Sequence, residues 1–101
     1  MRMKFIIDGT AGLVMHPARY QILQCLRKTN EPLFVEQIAK SVNIHPRMVS
    51  HHLDVLEEGE LVESKYELVK VNGSKRGVAV RLCKATPKAE EVFLDIKESV
   101  T

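Results

Sequence analysis

The chain has 101 residues, 45% of them hydrophobic and 28% charged, with no Trp and two cysteines. That is the balance of one ordinary globular domain, able to bury about two-thirds of its unfolded surface without a disulfide scaffold; it excludes disordered, collagen-like and coiled-coil classes. The net charge of +2 conceals a block from Leu68 to Ala89 with no carboxylate and six cations, Lys70, Lys75, Arg76, Arg81, Lys84 and Lys88, which suits either a polyanion site or a solvated basic loop.

In chain order, Phe5-Ile6-Ile7 reads as an extended start and Ala11 to Met15 as a short helix, forming an N-terminal arm over 1–15. Pro17 stands where a first-turn proline fits, and Ala18, Ile22, Leu23 and Leu26 follow at helical spacing until Thr29, Asn30 and Pro32, which predicts a helix over 17–28. Val35, Ile38, Ala39 and Val42 mark a second helix of about two turns, stopped by Asn43, a residue tolerant of left-handed backbone.

A third helix is expected from Pro46 to Glu58, with Gly59 ending it. At 100° per residue, Val49, Leu53 and Leu56 fall within about 60° of arc and face the core, while Arg47, His51, Asp54 and Glu58 point away. The outward face begins with Arg, Ser and His and ends in Glu57 and Glu58, so only its first half welcomes phosphate.

After Gly59 the period becomes 2. Val62, Ser64, Tyr66 and Leu68 alternate with Glu63, Lys65 and Glu67; Val78, Val80 and Leu82 alternate with Ala79, Arg81 and Cys83. The turn-forming segment Asn72 to Gly77 joins them into a hairpin over 61–84 with Lys75 and Arg76 at its tip. Thr86 is expected to cap a last helix, 87–101, with Pro87 in its first turn and Ala89, Val92, Phe93, Ile96 and Val100 along one face. No linker divides the sequence, so 1–101 reads as one domain with its helical core at 17–58.

Two short helices joined by a tight turn, then a helix with a polar outer face and a basic hairpin, predict an α+β fold: a winged helix-turn-helix of three core helices and a β-hairpin wing, with a C-terminal dimerisation helix. The major groove is about 12 Å wide and admits one helix, while a basic loop beside it reaches phosphates. Candidate DNA-binding residues are His45, Pro46, Arg47, Ser50 and His51 on the third helix and Lys75 and Arg76 on the wing. Arg47 can bond bidentately to guanine, clamp a phosphate, or pair with Asp54 or Glu58. Ser50 can donate to phosphate or permit close approach; His51 projects outward. His45 suits a cap position better than a metal, and His52, on the flank of the core arc, suits a structural hydrogen bond. His51 and His52 point about 100° apart and cannot share a metal without a third ligand. The terminal stripe of Val92, Phe93, Ile96 and Val100 exceeds what a three-helix core with a hairpin needs and is expected to join two copies.

Several residue groups resemble the arsenic-repressor (ArsR) type of winged helix transcription regulators. His16-Pro17-Ala18-Arg19-Tyr20-Gln21-Ile22-Leu23 is similar to that family's Asp-Pro-Thr-Arg-x-x-Ile-Leu opening. Val49-Ser50-His51-His52-Leu53-Asp54-Val55-Leu56 is similar to its Val-Ser-x-His-Leu-x-x-Leu recognition helix, and Glu58-Gly59-Glu60-Leu61-Val62 to the Ala-Gly-Leu-Val before the wing. The resemblance spans roughly residues 13–84 and implies a homodimeric DNA-binding regulator, commonly a repressor, joined through terminal helices. The chain departs from the family at its metal sites: Phe34 and Glu36 stand where metal-sensing members carry Cys-x-Cys, and no histidine follows His52 to serve a site on the last helix.

Metal sensing and a cofactor are therefore not expected. No Ser-His-Asp, paired-carboxylate, phosphate-loop or Cys-x-x-Cys pattern suggests an enzyme. Cys25 and Cys83 suit small buried roles. No apolar run nears the roughly 20 residues of a membrane span, and the opening apolar stretch is too short for a signal peptide, so a reduced cytoplasmic protein is expected, with no membrane partner. The expected partners are double-stranded DNA and a second copy of the chain. The rival function is a winged helix protein-interaction module without specific DNA binding, in which the acidic end of the third helix faces a partner.

Overall fold

The computed structural model describes residues 4–70, 73 and 77–99. Among the described residues six helices and three strands follow in the order α1 (Lys4–Ile7), α2 (Thr10–Val14), α3 (Pro17–Thr29), β1 (Leu33–Phe34), α4 (Val35–Val42), α5 (Pro46–Glu58), β2 (Val62–Lys70), β3 (Gly77–Ala85) and α6 (Pro87–Ser99). The sheet order is β1-β3-β2, antiparallel throughout. The long hairpin stretches the molecule to 55 × 22 × 20 Å.

The expected extended start is instead helical. The Asp95 carboxylate on α6 is buried, and its Oδ2 accepts from the Phe5 N–H at 3.0 Å and the Ile6 N–H at 3.3 Å. Those are amides that a helix start leaves without intrahelical partners, so a distant residue decides the local conformation. Asp8 Oδ1 then accepts from Thr10 N at 2.9 Å, Gly9 turns the chain at φ 86°, and Ala11 and Val14 of α2 enter the core.

Two helices share one starting device. His16 precedes Pro17 and His45 precedes Pro46; each ring accepts at Nδ1 from the second helical amide, Ala18 N at 3.2 Å and Arg47 N at 3.1 Å. The proline sits where no N–H is wanted, and the imidazole satisfies the next one. At the start of α4 the Gln37 side chain accepts from Phe34 N at 2.9 Å, and Asn43 closes that helix at φ 56°. The two-residue β1, absent from the sequence reading, pairs Leu33 with Cys83 and Phe34 with Leu82.

Ile22, Leu23 and Leu26 of α3, Ile38 and Ala39 of α4, and Val49, Leu53 and Leu56 of α5 form the centre of the core with Leu61, Val62 and Cys83. Helix α5 ends before Gly59 as expected, but Gly59 has φ −81°, and Glu60 takes the left-handed turn at φ 62°. What Gly59 supplies is room, because a Cβ there would lie 2.6 Å from Leu13 Cδ1. The Thr86 hydroxyl, expected at the cap of α6, donates to the Glu60 carbonyl at 2.7 Å and ties the end of β3 to this turn.

Helix α6 also differs from its sequence reading. Val92 and Phe93, read as a stripe left over for a partner, are buried in this chain's own core, with Ile96 packed against it. Tyr20 stacks on Phe93 with ring centroids 4.9 Å apart, and the Arg27 guanidinium lies 3.9 Å from the same ring while forking onto Glu90 at 2.9 and 2.7 Å. A core of three helices and a hairpin would leave that stripe over; α1 and α2 are further layers, and they consume the surplus. Val100 lies outside the described residues.

Candidate nucleic-acid interface

Helix α5 carries most of the candidate residues. Its apolar arc lands as the periodicity requires, with Val49, Leu53 and Leu56 fully buried, so Arg47, His51 and Asp54 are exposed and Ser50 is half-buried at the edge. His45 is the N-cap, as its position suggested. Because Nδ1 accepts from Arg47 N, a neutral ring must carry its proton on Nε2, which makes the exposed ring a hydrogen-bond donor beside the helix N-terminus. Pro46 sets the first turn, and Met48 is half exposed on the same turn. Arg47 makes no ion pair with any described residue; Asp54, one of its expected alternatives, is held by another cation.

His52 turns inward. Its Nδ1 accepts from Arg19 Nε at 3.3 Å, and Arg19 Nη1 also donates to the Leu13 carbonyl at 3.2 Å, so one guanidinium joins α2, α3 and α5. The His16 and His51 rings lie 4.8 and 5.5 Å from the His52 ring. Burial, then the positive neighbours His16, Arg19 and His51, push the His52 pKa below its ordinary 6.5. Among the described residues no group of His, Cys, Asp and Glu is arranged to hold a metal ion.

The wing is anchored by Arg81. Its Nε donates to Ser64 Oγ at 3.0 Å, Nη1 to Asp54 Oδ1 at 2.8 Å and Nη2 to Glu57 Oε2 at 2.7 Å. Burial opposes its charge, but the hydrogen bond to Asp54 and the charges of Cys83, Asp54 and Glu57 outweigh that and hold its pKa above the ordinary value. Cys83 is wholly buried, with Sγ 3.4 Å from Ser64 Oγ, and burial pushes its thiol pKa up. Cys25 is half-buried.

The basic block is thus less free than its charge count suggests. Arg81 is committed to two carboxylates, and Lys88 Nζ donates to the Gly59 carbonyl at 3.0 Å. Lys70 and Lys84 are exposed, whereas Lys75 and Arg76 lie outside the described residues. Sequence reasoning missed the roles of Arg81 and Arg19, since pairings across 27 and 33 positions leave no local pattern.

A family model for a helix-turn-helix domain matches residues 14–65, just over half of the chain. The chain belongs to this helix-turn-helix family. No curated protein sequence matches it. Among solved structures it is similar to diamide-treated YodB from B. subtilis, with TM-score 0.71 and 18% identity over 91% of this chain and 83% of that one. It is also similar to a homodimeric winged helix-turn-helix DNA-binding domain of a possible ArsR-family transcriptional regulator from Mycobacterium bovis, with TM-score 0.63 and 22% identity over 98% and 82%. A possible transcriptional regulator from Methanosarcina mazei matches with TM-score 0.63 and 12% identity over 99% and 81%. At these identities the likeness establishes the fold, a winged helix-turn-helix. No helix among the described residues is long and apolar enough to cross a membrane.

Proposed function

We propose that the chain is a sequence-specific, duplex DNA-binding transcription regulator, a homodimeric repressor of the arsenic-repressor type without that family's metal sites, working in the cytoplasm and not as an enzyme. The observation that carries this reading is the outer face of α5, where Arg47 and His51 stand exposed behind a capped, proline-started N-terminus while the opposite face is locked into the core. Backbone amides and the positive end of the helix dipole add to those side chains as phosphate approaches. His45, Pro46, Arg47, Ser50 and His51 enter the major groove, Arg47 reading a base, and Lys75 and Arg76 bind flanking phosphates.

Pairing of two copies is supported by the homodimeric relative and by the exposed apolar residues Ile7 and Leu94, on the mutually packed helices α1 and α6. The dimer interface uses Leu94 of α6 and Ile7 of α1, because Val92 and Phe93 are covered already. Sedimentation is expected to show a dimer that Leu94→Asp dissociates; a monomer at high micromolar concentration removes this part of the reading.

One observation favours the protein-interaction module: the outer wing exposes Tyr66, Leu68 and Val78, apolar groups of little use against phosphate. Titration with mixed-sequence duplex DNA separates the two. A DNA-binding regulator binds tightly at low salt and loses affinity steeply as salt rises, whereas absence of binding at low salt favours the module.

A further inference from the structure

Arg81 is the outermost tie between the wing and the helices among the described residues. Beyond it the hairpin continues through four more pairings, Glu67↔Val80, Leu68↔Ala79, Val69↔Val78 and Lys70↔Gly77. Lys65 to Lys70 and Gly77 to Ala79 are exposed. Toward α4 the outer wing is separated from the helices by a groove of about 440 Å³ whose lining includes Val69, Val80 and Arg81 of the wing and Phe34, Glu36 and Lys40 across from them. On the α5 side stands the guanidinium, its side chain 11% exposed while the Asp54 and Glu57 side chains are 66% and 44% exposed.

Asp54 and Glu57 are three residues apart on α5 and therefore neighbours on its surface, and the guanidinium fork reaches both while its third nitrogen holds Ser64 on β2. The cluster joins all the parts that must move if the wing swings: α5, β2 and β3. Four strand residues past the clasp make a lever of about 13 Å before the tip. A swing of about 10° would displace its end by roughly 2 Å, enough to make or break a hydrogen bond to phosphate.

We infer that Arg81 is a positioning residue of the DNA interface, fixing the angle between the wing and α5 and keeping Asp54 and Glu57 turned toward itself instead of toward phosphate. This rests on the DNA-binding reading above and deepens it. The wing and the recognition helix then meet DNA as one rigid body, with the spacing between the base-reading and phosphate-binding groups set by this cluster.

The sign of one charge change tests the inference. Asp54→Ala with Glu57→Ala removes two negative charges and both carboxylate acceptors of the guanidinium at exposed positions, and leaves the core untouched. If the carboxylates only repel DNA, this double variant binds tighter and its log K against log salt slope steepens. If Arg81 positions the wing, the released wing no longer reaches its phosphates, so the slope flattens by about one for each phosphate left unneutralised and binding is no tighter. Arg81→Gln, which leaves both carboxylates unmasked, is expected to weaken binding about tenfold or more. Arg81→Lys restores charge but reaches fewer partners, so it should recover part of the affinity and keep the flattened slope.

The probe is a mixed-sequence duplex of about 30 base pairs, titrated at several salt concentrations, with thermal melting of each full-length variant to verify folding. Should Arg81→Gln fail to fold, the double variant decides alone. A tighter, steeper double variant overturns the inference while leaving the DNA reading intact. Absence of any salt-sensitive binding by the unmodified protein overturns that reading and the inference with it.

Discussion

Helices α5 and α6 have the same length, 13 residues, and both start on a proline, yet they use their polar side chains in opposite ways. On α5 the polar face stays in solvent with Arg47 and His51 exposed, and the one polar ring that turns inward, His52, has its hydrogen bond from Arg19. On α6 a carboxylate, Asp95, is buried and holds the backbone of α1. The first arrangement leaves a surface available for recognition; the second commits a charge to architecture. Amphipathic period alone does not distinguish them, because both helices show an apolar stripe.

Breaking the core side of α5 should have the largest effect. Leu53 is fully buried, and Leu53→Asp places an unpaired carboxylate among apolar neighbours, a cost of several kcal/mol against a total stability of about 5–15 kcal/mol. Val49→Asp should behave in the same way, and Arg47→Ala should melt like the unmodified protein. Circular dichroism melting of the three variants checks this; equal destabilisation would mean that α5 is rotated and its proposed recognition face is wrong.

Next comes the architectural charge on α6. Asp95→Ala leaves the Phe5 and Ile6 amides unpaired and should cost about 2 kcal/mol, concentrated at α1. Hydrogen exchange is the sharper readout: those two amides should lose protection while α5 amides keep theirs. Uniform loss across both helices would show that Asp95 serves the whole fold and not the N-terminal segment.

A smaller effect separates the two helices by pH. The folded-state pKa of His52 lies below its ordinary 6.5, so between those values the unfolded chain binds a proton that the folded chain refuses. Stability is then complete above about pH 6.5 and declines as pH falls toward the folded pKa. Protonation would also set an Nδ1–H against the Arg19 donor. The melting temperature should drop between about pH 7 and pH 5, and His52→Gln should shrink that drop; an unchanged drop would place the acid sensitivity elsewhere.

The legible parts of the molecule were those governed by local rules. Proline at the helix starts, Asn43 at a left-handed stop and the arc of Val49, Leu53 and Leu56 are contained in windows of a few residues, and the helices from 17 to 58 lie where those signals place them. The change of period after Gly59 likewise marked the hairpin. What stayed hidden depends on pairings between distant positions: Asp95 makes Phe5-Ile6-Ile7 helical, Leu82 and Cys83 recruit Leu33 and Phe34 as a third strand, and Arg81 answers Asp54 and Glu57. The role of Arg81 within the basic block stayed hidden for the same reason, since an arginine in a strand gives no sign of whether it faces solvent or a carboxylate.

The most direct test of the central claim, that α5 reads bases while the wing anchors, is a salt titration of Arg47→Ala and of the Lys75→Ala/Arg76→Ala double variant. Each is measured on a duplex selected from a random pool and on its scrambled counterpart. Loss of Arg47 should cost about 1–3 kcal/mol on the selected sequence and relax discrimination at one or two base pairs. Loss of Lys75 and Arg76 should weaken both duplexes nearly equally and flatten the salt slope by about one per phosphate released. The contradicting result is the inverse, in which the wing variant loses sequence preference and the Arg47 variant loses only salt dependence.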